Sequence, residues 1–560
     1  MAKKTTPQPK KPAQKTSKQA PAGFFDSPER WLPWALAALA FVLFGIGFGN
    51  HMLGVDDHTA TVDNPAVRDF QIFNGFNLGM YAPLTWIGYE ISYILGKESP
   101  IWYHVLSALV HAINVMLVFR LFRRLGSSLT VSALVALFFA IHPLQVESVA
   151  WIAGFSTPLF SMFYLLSCLW YLDYAEQGDG RSYKYALGAF VLACLSKSAA
   201  VTLPLLLVLM DWWLKRPLSD RQRLLRYVPF FLVALLFGLL TIYSRHASAM
   251  NMSDETHLSL LERALVLCYT PVFYWAKLLL PLKLNIYYSF DSIKTDFVWA
   301  YWVAPVVLAG AFWGAWKLRS QARFVLFGLL FFFVQISVML PFQPMGTFEL
   351  CADHYNYLAC AGIFFILVCG FQELVKKWPP HADTLRWVGG LWAAALLVLS
   401  ILQIRVWKDT ATLVDKAIRN GFHQNGRLYE ARGTAYANEN RDLQSAIKDY
   451  SEALRINPSL TDSYKYRGNI YGVLKNYPQS VEDLSKFLEK HPDEVPELYN
   501  RGLSYANLDR TREAIADFNR VIELDPTFSR AYRARGNCLK KIGENAQGDA
   551  DLQKWETMPK

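Results

Sequence analysis

Charge is scarce in this chain. Asp, Glu, Lys and Arg make up 18% of its 560 residues, against about 25% in ordinary soluble domains. Cysteine is scarcer still. Cys168, Cys194, Cys268, Cys351, Cys360, Cys369 and Cys538 are scattered, mostly inside apolar runs, and form no CxxC pair. That pattern excludes a disulfide framework and a zinc knuckle. No P-loop, GxGxxG or HExxH motif is present, which removes the usual sequence grounds for nucleotide binding or zinc proteolysis. The net charge of +10 falls on no basic, aromatic-interleaved soluble segment, so nucleic acid is not an expected partner.

Apolar residues fill the space instead, at 53% of the chain with 15% aromatics. They come in long runs, the mark of a polytopic membrane protein. Spans are expected near 31–50, 100–119, 129–141, 157–174, 185–197, 201–214, 227–244, 297–316, 322–340, 356–374 and 386–404, about eleven in all. Residues 1–30 read as a disordered basic tail and the first span as a retained anchor. Basic clusters precede the first span and follow the second, at Arg120, Arg123 and Arg124. Others lie at 215–226, 317–323 and 376–386. An alternating path puts all five on one side, which the positive-inside rule makes cytoplasmic. The segment 262–280 then reads as interfacial or re-entrant.

The last quarter of the chain is a repeat. Tyr429-Glu-Ala-Arg-Gly433, Tyr464-Lys-Tyr-Arg-Gly468, Tyr499-Asn-Arg-Gly502 and Tyr532-Arg-Ala-Arg-Gly536 recur at about 34 residues, with Pro458, Pro492 and Pro526 closing three units. This is the tetratricopeptide pattern. The expected fold is therefore mostly α: a membrane helix bundle over 31–405, a connecting segment over 406–427 and an α-solenoid over 428–560. Such a solenoid offers a protein or peptide partner a concave face, or serves as a spacer.

The expected topology gathers several polar residues on the non-cytoplasmic side. Asp56 and Asp57 follow the first span. Adjacent carboxylates near a membrane surface either separate in pKa or share a cation, so a divalent cation there is one option. His104, Ser107, His111 and Asn114 share one helical face, as a cavity lining or as a seam between helices. His142 and Glu147 lie on the 142–156 turn, where they either touch a substrate or fix the turn. Lys197 breaks two apolar segments, and Arg245, Lys277, Asp353 and His354 fall on the same side. A buried lysine calls for an anion, such as a lipid phosphate, unless it snorkels to the headgroups.

In order along the chain, these motifs resemble a known family. They are Asp56-Asp57, Asp63-Asn64-Pro65, Tyr81-Ala82-Pro83-Leu84-Thr85, His142-Pro143 with Glu147 and Trp151, Leu195-Ser196-Lys197, Lys277 to Pro281, Asp353-His354-Tyr355, Arg405-Val-Trp407-Lys-Asp409 and the terminal repeats. Together they are similar to the transmembrane and tetratricopeptide-repeat O-mannosyltransferases and their bacterial relatives, of the GT-C class. The resemblance implies a polyprenyl-phosphate-linked sugar donor and a protein or envelope-glycan acceptor outside the cytoplasm; the short chain and the lack of an endoplasmic-reticulum signal make a bacterial inner membrane the expected location. It implies that Asp56 or Asp57 activates the acceptor hydroxyl. Lys197, Arg245 and Lys277 are candidates to meet the leaving phosphate, by side and charge. Arginines usual in the family are replaced at Ala82, Phe155 and His354. These losses leave a second reading open, a non-catalytic scaffold that recruits envelope proteins. A transporter is disfavoured, because the membrane half shows no internal duplication.

Overall fold

The computed structural model describes residues 27–54, 56–69, 71, 81–247, 259–286, 288, 289, 299–340, 349–439 and 441–558, the side chains of 223, 245–247, 289, 349 and 350 excepted. The basic tail expected over 1–30 lies almost wholly outside them. The described residues are helical apart from one short antiparallel pair, Tyr288–Ser289 against Glu349–Cys351.

Every expected span corresponds to a helix, but the helices are not equal. Ile101–Arg124, Ala153–Gln177, Leu224–Ser244 and Pro379–Val406 are long and apolar enough to cross a membrane by themselves. Leu129–Ile141 with Pro143–Ala150 adds a fifth, bent by 55°. The count of eleven is thus not reached by length and composition among the described residues. Several runs, such as Leu203–Trp213 at 11 residues, are too short for a full crossing. The segment over 262–280 is a 20-residue helix, Leu260–Leu279, opened by a Ser259–Glu262 capping box.

Local chemistry sets the helix ends. Ser128 and Asp179 accept backbone N–H bonds at the starts of Leu129–Ile141 and Gly180–Ser196. Gly178, at φ 70°, stops Ser156–Gln177. Ile101–Arg124 is the central helix and packs against Pro28–Gly45, Leu129–Ile141 and Ser156–Gln177. Arg323–Ile336 and Cys360–Lys377 meet through Gly328 and Gly362. A Cβ on Gly328 would lie 2.4 Å from the Gly362 carbonyl oxygen, so only small residues allow this approach. On the outside, Leu232, Leu235 and Leu236 are 60%, 60% and 62% exposed. An apolar belt of that kind needs lipid around it, and the chain is a membrane protein on these grounds.

The repeats form four helix pairs between Gly426 and Thr557. Tyr429, Tyr464, Tyr499 and Tyr532 stand on the first helix of each pair, where they pack among the solenoid's own side chains. The arginine of each Tyr-containing motif does the joining. Arg432, Arg467, Arg501 and Arg535 grip Asp449, Asp483, Asp517 and Asp551 with two bonds each, at 2.7–2.9 Å. A third bond reaches backward, to Asp415, Ser451, Ser485 and Asn519 respectively. Planar guanidinium suits this fork. Asp415 lies on the Thr410–Ala417 helix, so that helix takes the place a preceding repeat would take. The segment expected to be a mere connector is docked on the solenoid.

Candidate functional site

Asp56 and Asp57 occupy opposite environments. Asp57 opens the short Asp57–Ala60 helix and is fully buried. Its Oδ2 accepts from Leu53 N–H at 2.8 Å and its Oδ1 from Ala153 N–H at 2.9 Å. Burial pushes its carboxyl up to about 7, against the pull of these two bonds. Asp56 is open to solvent at its surface and sits at φ 64°, yet the surrounding protein also pushes its carboxyl above the ordinary range. A left-handed backbone at a non-glycine residue costs about 1 kcal/mol or more. The buried Asp57 clamp therefore holds a strained Asp56 with its side chain open. Each Asp57 oxygen accepts from one amide, which leaves one lone pair on each. No group of three Asp, Glu, His or Cys side chains suited to a metal occurs among the described residues.

A second cluster builds on Glu147. Its Oε1 lies 2.5 Å from His354 Nδ1, and its Oε2 accepts from Asp353 N–H at 2.9 Å. Tyr288 donates to Asp353 Oδ1 at 3.1 Å. Burial, together with the Glu147 charge, holds the Asp353 carboxyl well above the ordinary range. Burial and nearby Lys197 hold the His354 imidazole below its own, so it is neutral at pH 7. Lys197 is 9% exposed and donates to Thr157 Oγ1 at 2.8 Å. Lys197, Thr157, His354, Tyr355, Gln335 and Met339 line one narrow pocket. Asp353 also lies within electrostatic reach of Lys277 and Lys416.

The two clusters share a wall. Glu147 begins and Ala153 ends one stretch of chain. Between them Trp151 lies 5.8 Å from the His354 ring and 6.1 Å from that of buried Trp407.

Other expected site residues are placed elsewhere. His142 Nδ1 accepts from Leu144 N–H at 3.2 Å, and its Nε2 meets the Leu278 carbonyl at 3.1 Å. It fixes the turn and ties it to Leu260–Leu279. His111 and Asn114 converge on the Tyr357 hydroxyl at 2.8 and 3.1 Å. That part of the polar face is a seam between helices. His104, on the same face, is buried, and its Nε2 has no hydrogen-bond partner among the described residues. Lys277 is half-buried, over the Phe273 and Tyr288 rings, and donates to the Leu282 carbonyl at 2.5 Å. The Arg245 side chain lies outside the described residues. Where the family carries an arginine, Phe155 is buried against Tyr89 and fills the space over Gly88. Thr157, Tyr288 and Lys416 were not legible as site residues. Only an Asp409 cap ahead of an apolar run marks the helix that brings Lys416 in.

Fold and site define a helical membrane protein with buried and exposed carboxylates above its bundle and a tetratricopeptide solenoid behind it. The family model described as Tetratricopeptide repeat matches residues 495–528. Protein O-mannosyl-transferase TMTC3 of Mus musculus is 24% identical over 537 residues, 83% of this chain and 55% of the relative. Protein O-mannosyl-transferase Tmtc2 of Drosophila melanogaster is 31% identical over 319 residues, 50% of this chain and 33% of the relative. Among solved structures, MamA 41-end from Desulfovibrio magneticus RS-1 is 14% identical. It aligns with 33% of this chain and 91% of its own, at a TM-score of 0.25, too low to carry an argument. The chain is thus similar, over most of its own length, to proteins named protein O-mannosyl-transferase. It spans about half the length of the curated relatives it matches.

Proposed function

We propose that this chain is a membrane glycosyltransferase that moves a sugar, mannose by analogy with its relatives' names, from a polyprenyl-phosphate donor to a hydroxyl outside the cytoplasm. The observation that carries this reading is the division of labour between Asp57, buried and bonded twice, and Asp56, exposed and held in a strained backbone. Asp56 takes the proton of the acceptor hydroxyl as its oxygen attacks the anomeric carbon. The bond from that carbon to the phosphate oxygen breaks, and its electron pair leaves with the lipid phosphate. Positive groups must meet that charge. Lys197 in the narrow pocket is the leading candidate, with Lys277 and Arg245 beside it in the expected topology. Glu147, Asp353 and His354 set the field around Lys197. The repeats position a protein or peptide acceptor, and the N-terminus is cytoplasmic.

The replacement of family arginines by Ala82, Phe155 and His354 favours a second reading, a scaffold without turnover. Purified protein supplied with labelled polyprenyl-phosphate sugars and a hydroxyl acceptor peptide decides between the two. Labelled peptide supports the transferase. No transfer from any donor leaves the scaffold.

A further inference from the structure

The loop carrying Asp56 and Asp57 is laced to the chain that leads into the repeats. Asn50 Nδ2 donates to the Ile404 carbonyl at 3.4 Å, and His51 N–H donates to the Lys408 carbonyl at 2.9 Å. The last tie is different in kind. Gly54 N–H donates to Thr410 Oγ1 at 2.8 Å, and the Thr410 hydroxyl donates to Glu439 Oε1 at 2.6 Å. Thr410 is 1% exposed. It begins the Thr410–Ala417 helix, which the Arg432–Asp415 bond docks on the first repeat. Glu439 ends the first helix of that repeat and is itself exposed. One buried hydroxyl thus joins three parts that are far apart in sequence. A Cβ built on Gly54 would lie 3.6 Å from Thr410 Oγ1 and 3.9 Å from Glu439 Oε1, so the three meet in ordinary contact.

We infer that Thr410 is a positioning residue for the Asp56 loop and that Glu439 couples the placement of the repeats to it. This inference rests on the transferase reading for its effect on rate, but the coupling itself is a property of the fold. Gly54 lies two residues before Asp56, inside the turn that the Leu53–Asp57 bond closes. Removing its acceptor frees a part-buried N–H from its one fixed partner, and the strained backbone at Asp56 is the nearest place for the loop to relax. The solenoid then does more than present an acceptor. Its seating on Thr410 sets whether the base is in position.

The test uses full-length protein in lipid nanodiscs with Thr410→Val, Thr410→Ser and Glu439→Gln. Valine keeps the shape and removes the hydroxyl, and serine restores it. Hydrogen–deuterium exchange over 51–60 should rise about tenfold in Thr410→Val, the factor that one hydrogen bond is worth. It should return to the wild-type rate in Thr410→Ser and rise less in Glu439→Gln. Turnover should fall about tenfold in Thr410→Val with the KM for the lipid-linked donor unchanged, and recover in Thr410→Ser. Unchanged exchange in Thr410→Val, or equal effects of valine and serine, overturns the inference. If wild-type protein turns over no donor, the transferase reading fails, and the exchange measurement alone decides the coupling.

Discussion

Ala153 N–H donates to Asp57 Oδ1 at 2.9 Å across 96 residues of sequence. That bond and the one from Leu53 turn one of two adjacent acids into a buried brace and leave its neighbour open. Asp57 then has a definite pH signature. Its folded pKa of about 7 lies above its unfolded value of 3.8. Between those values the folded state holds more protons than the unfolded one, so stability falls as pH rises through that window. Above about pH 8 the dependence ends. The protection of the Leu53 and Ala153 amides, taken relative to their intrinsic exchange rate at each pH, should therefore be greater at pH 5.5 than at pH 8. Asp57→Asn should flatten the difference and weaken the loop by about 1–3 kcal/mol, because an amide nitrogen replaces one acceptor. Protection of these amides that does not change between the two pH values in the wild type would contradict this.

The pocket at Lys197 predicts a split in kinetic constants. Lys197→Met keeps much of the length and removes the charge. If the ammonium meets the donor phosphate, the KM for the lipid-linked sugar should rise at least about tenfold, within the usual worth of a charge-assisted bond. Glu147→Gln should alter the same constant, since Glu147 lies within reach of Lys197 and holds His354 and Asp353. Measuring initial rates against donor concentration checks both. A loss confined to kcat would move Lys197 away from the phosphate.

The repeat arginines predict a stability effect without chemistry. Arg467 grips Asp483, whose side chain is 4% exposed. Arg467→Ala strands that carboxylate and should destabilise the solenoid by about 3 kcal/mol, in the range for breaking a buried pair. Replacing both partners with apolar residues, Arg467→Met with Asp483→Leu, should recover much of the loss. A thermal melt followed by circular dichroism separates the outcomes.

The solenoid was readable because Tyr, Gly and Pro recur at a fixed period, and each recurrence does the same packing work. The helices of the membrane part were readable because apolar runs bounded by basic clusters have no other stable home. The number of full crossings was not, since short runs such as Leu203–Trp213 pack as helices without the length to span. Asp56, Glu147, Lys197 and Asp353 stood out as charged residues beside apolar runs. Which acid would be buried did not, because Ala153, 96 residues on, decides it. The role of His142 was open between turn and substrate for the same reason. Its partner, the Leu278 carbonyl, is a backbone atom that no residue type announces. Thr410 was illegible as a threonine in a connector, and only the fold sets it between Gly54 and Glu439.

The central claim is that Asp56, not Asp57, takes the acceptor proton. Asp56→Asn keeps the shape and removes the base. Single-turnover transfer from a labelled polyprenyl-phosphate sugar to a hydroxyl peptide should then slow by about 10²–10⁴-fold, with donor binding and the thermal melt unchanged. Transfer at the wild-type rate by Asp56→Asn would contradict the account.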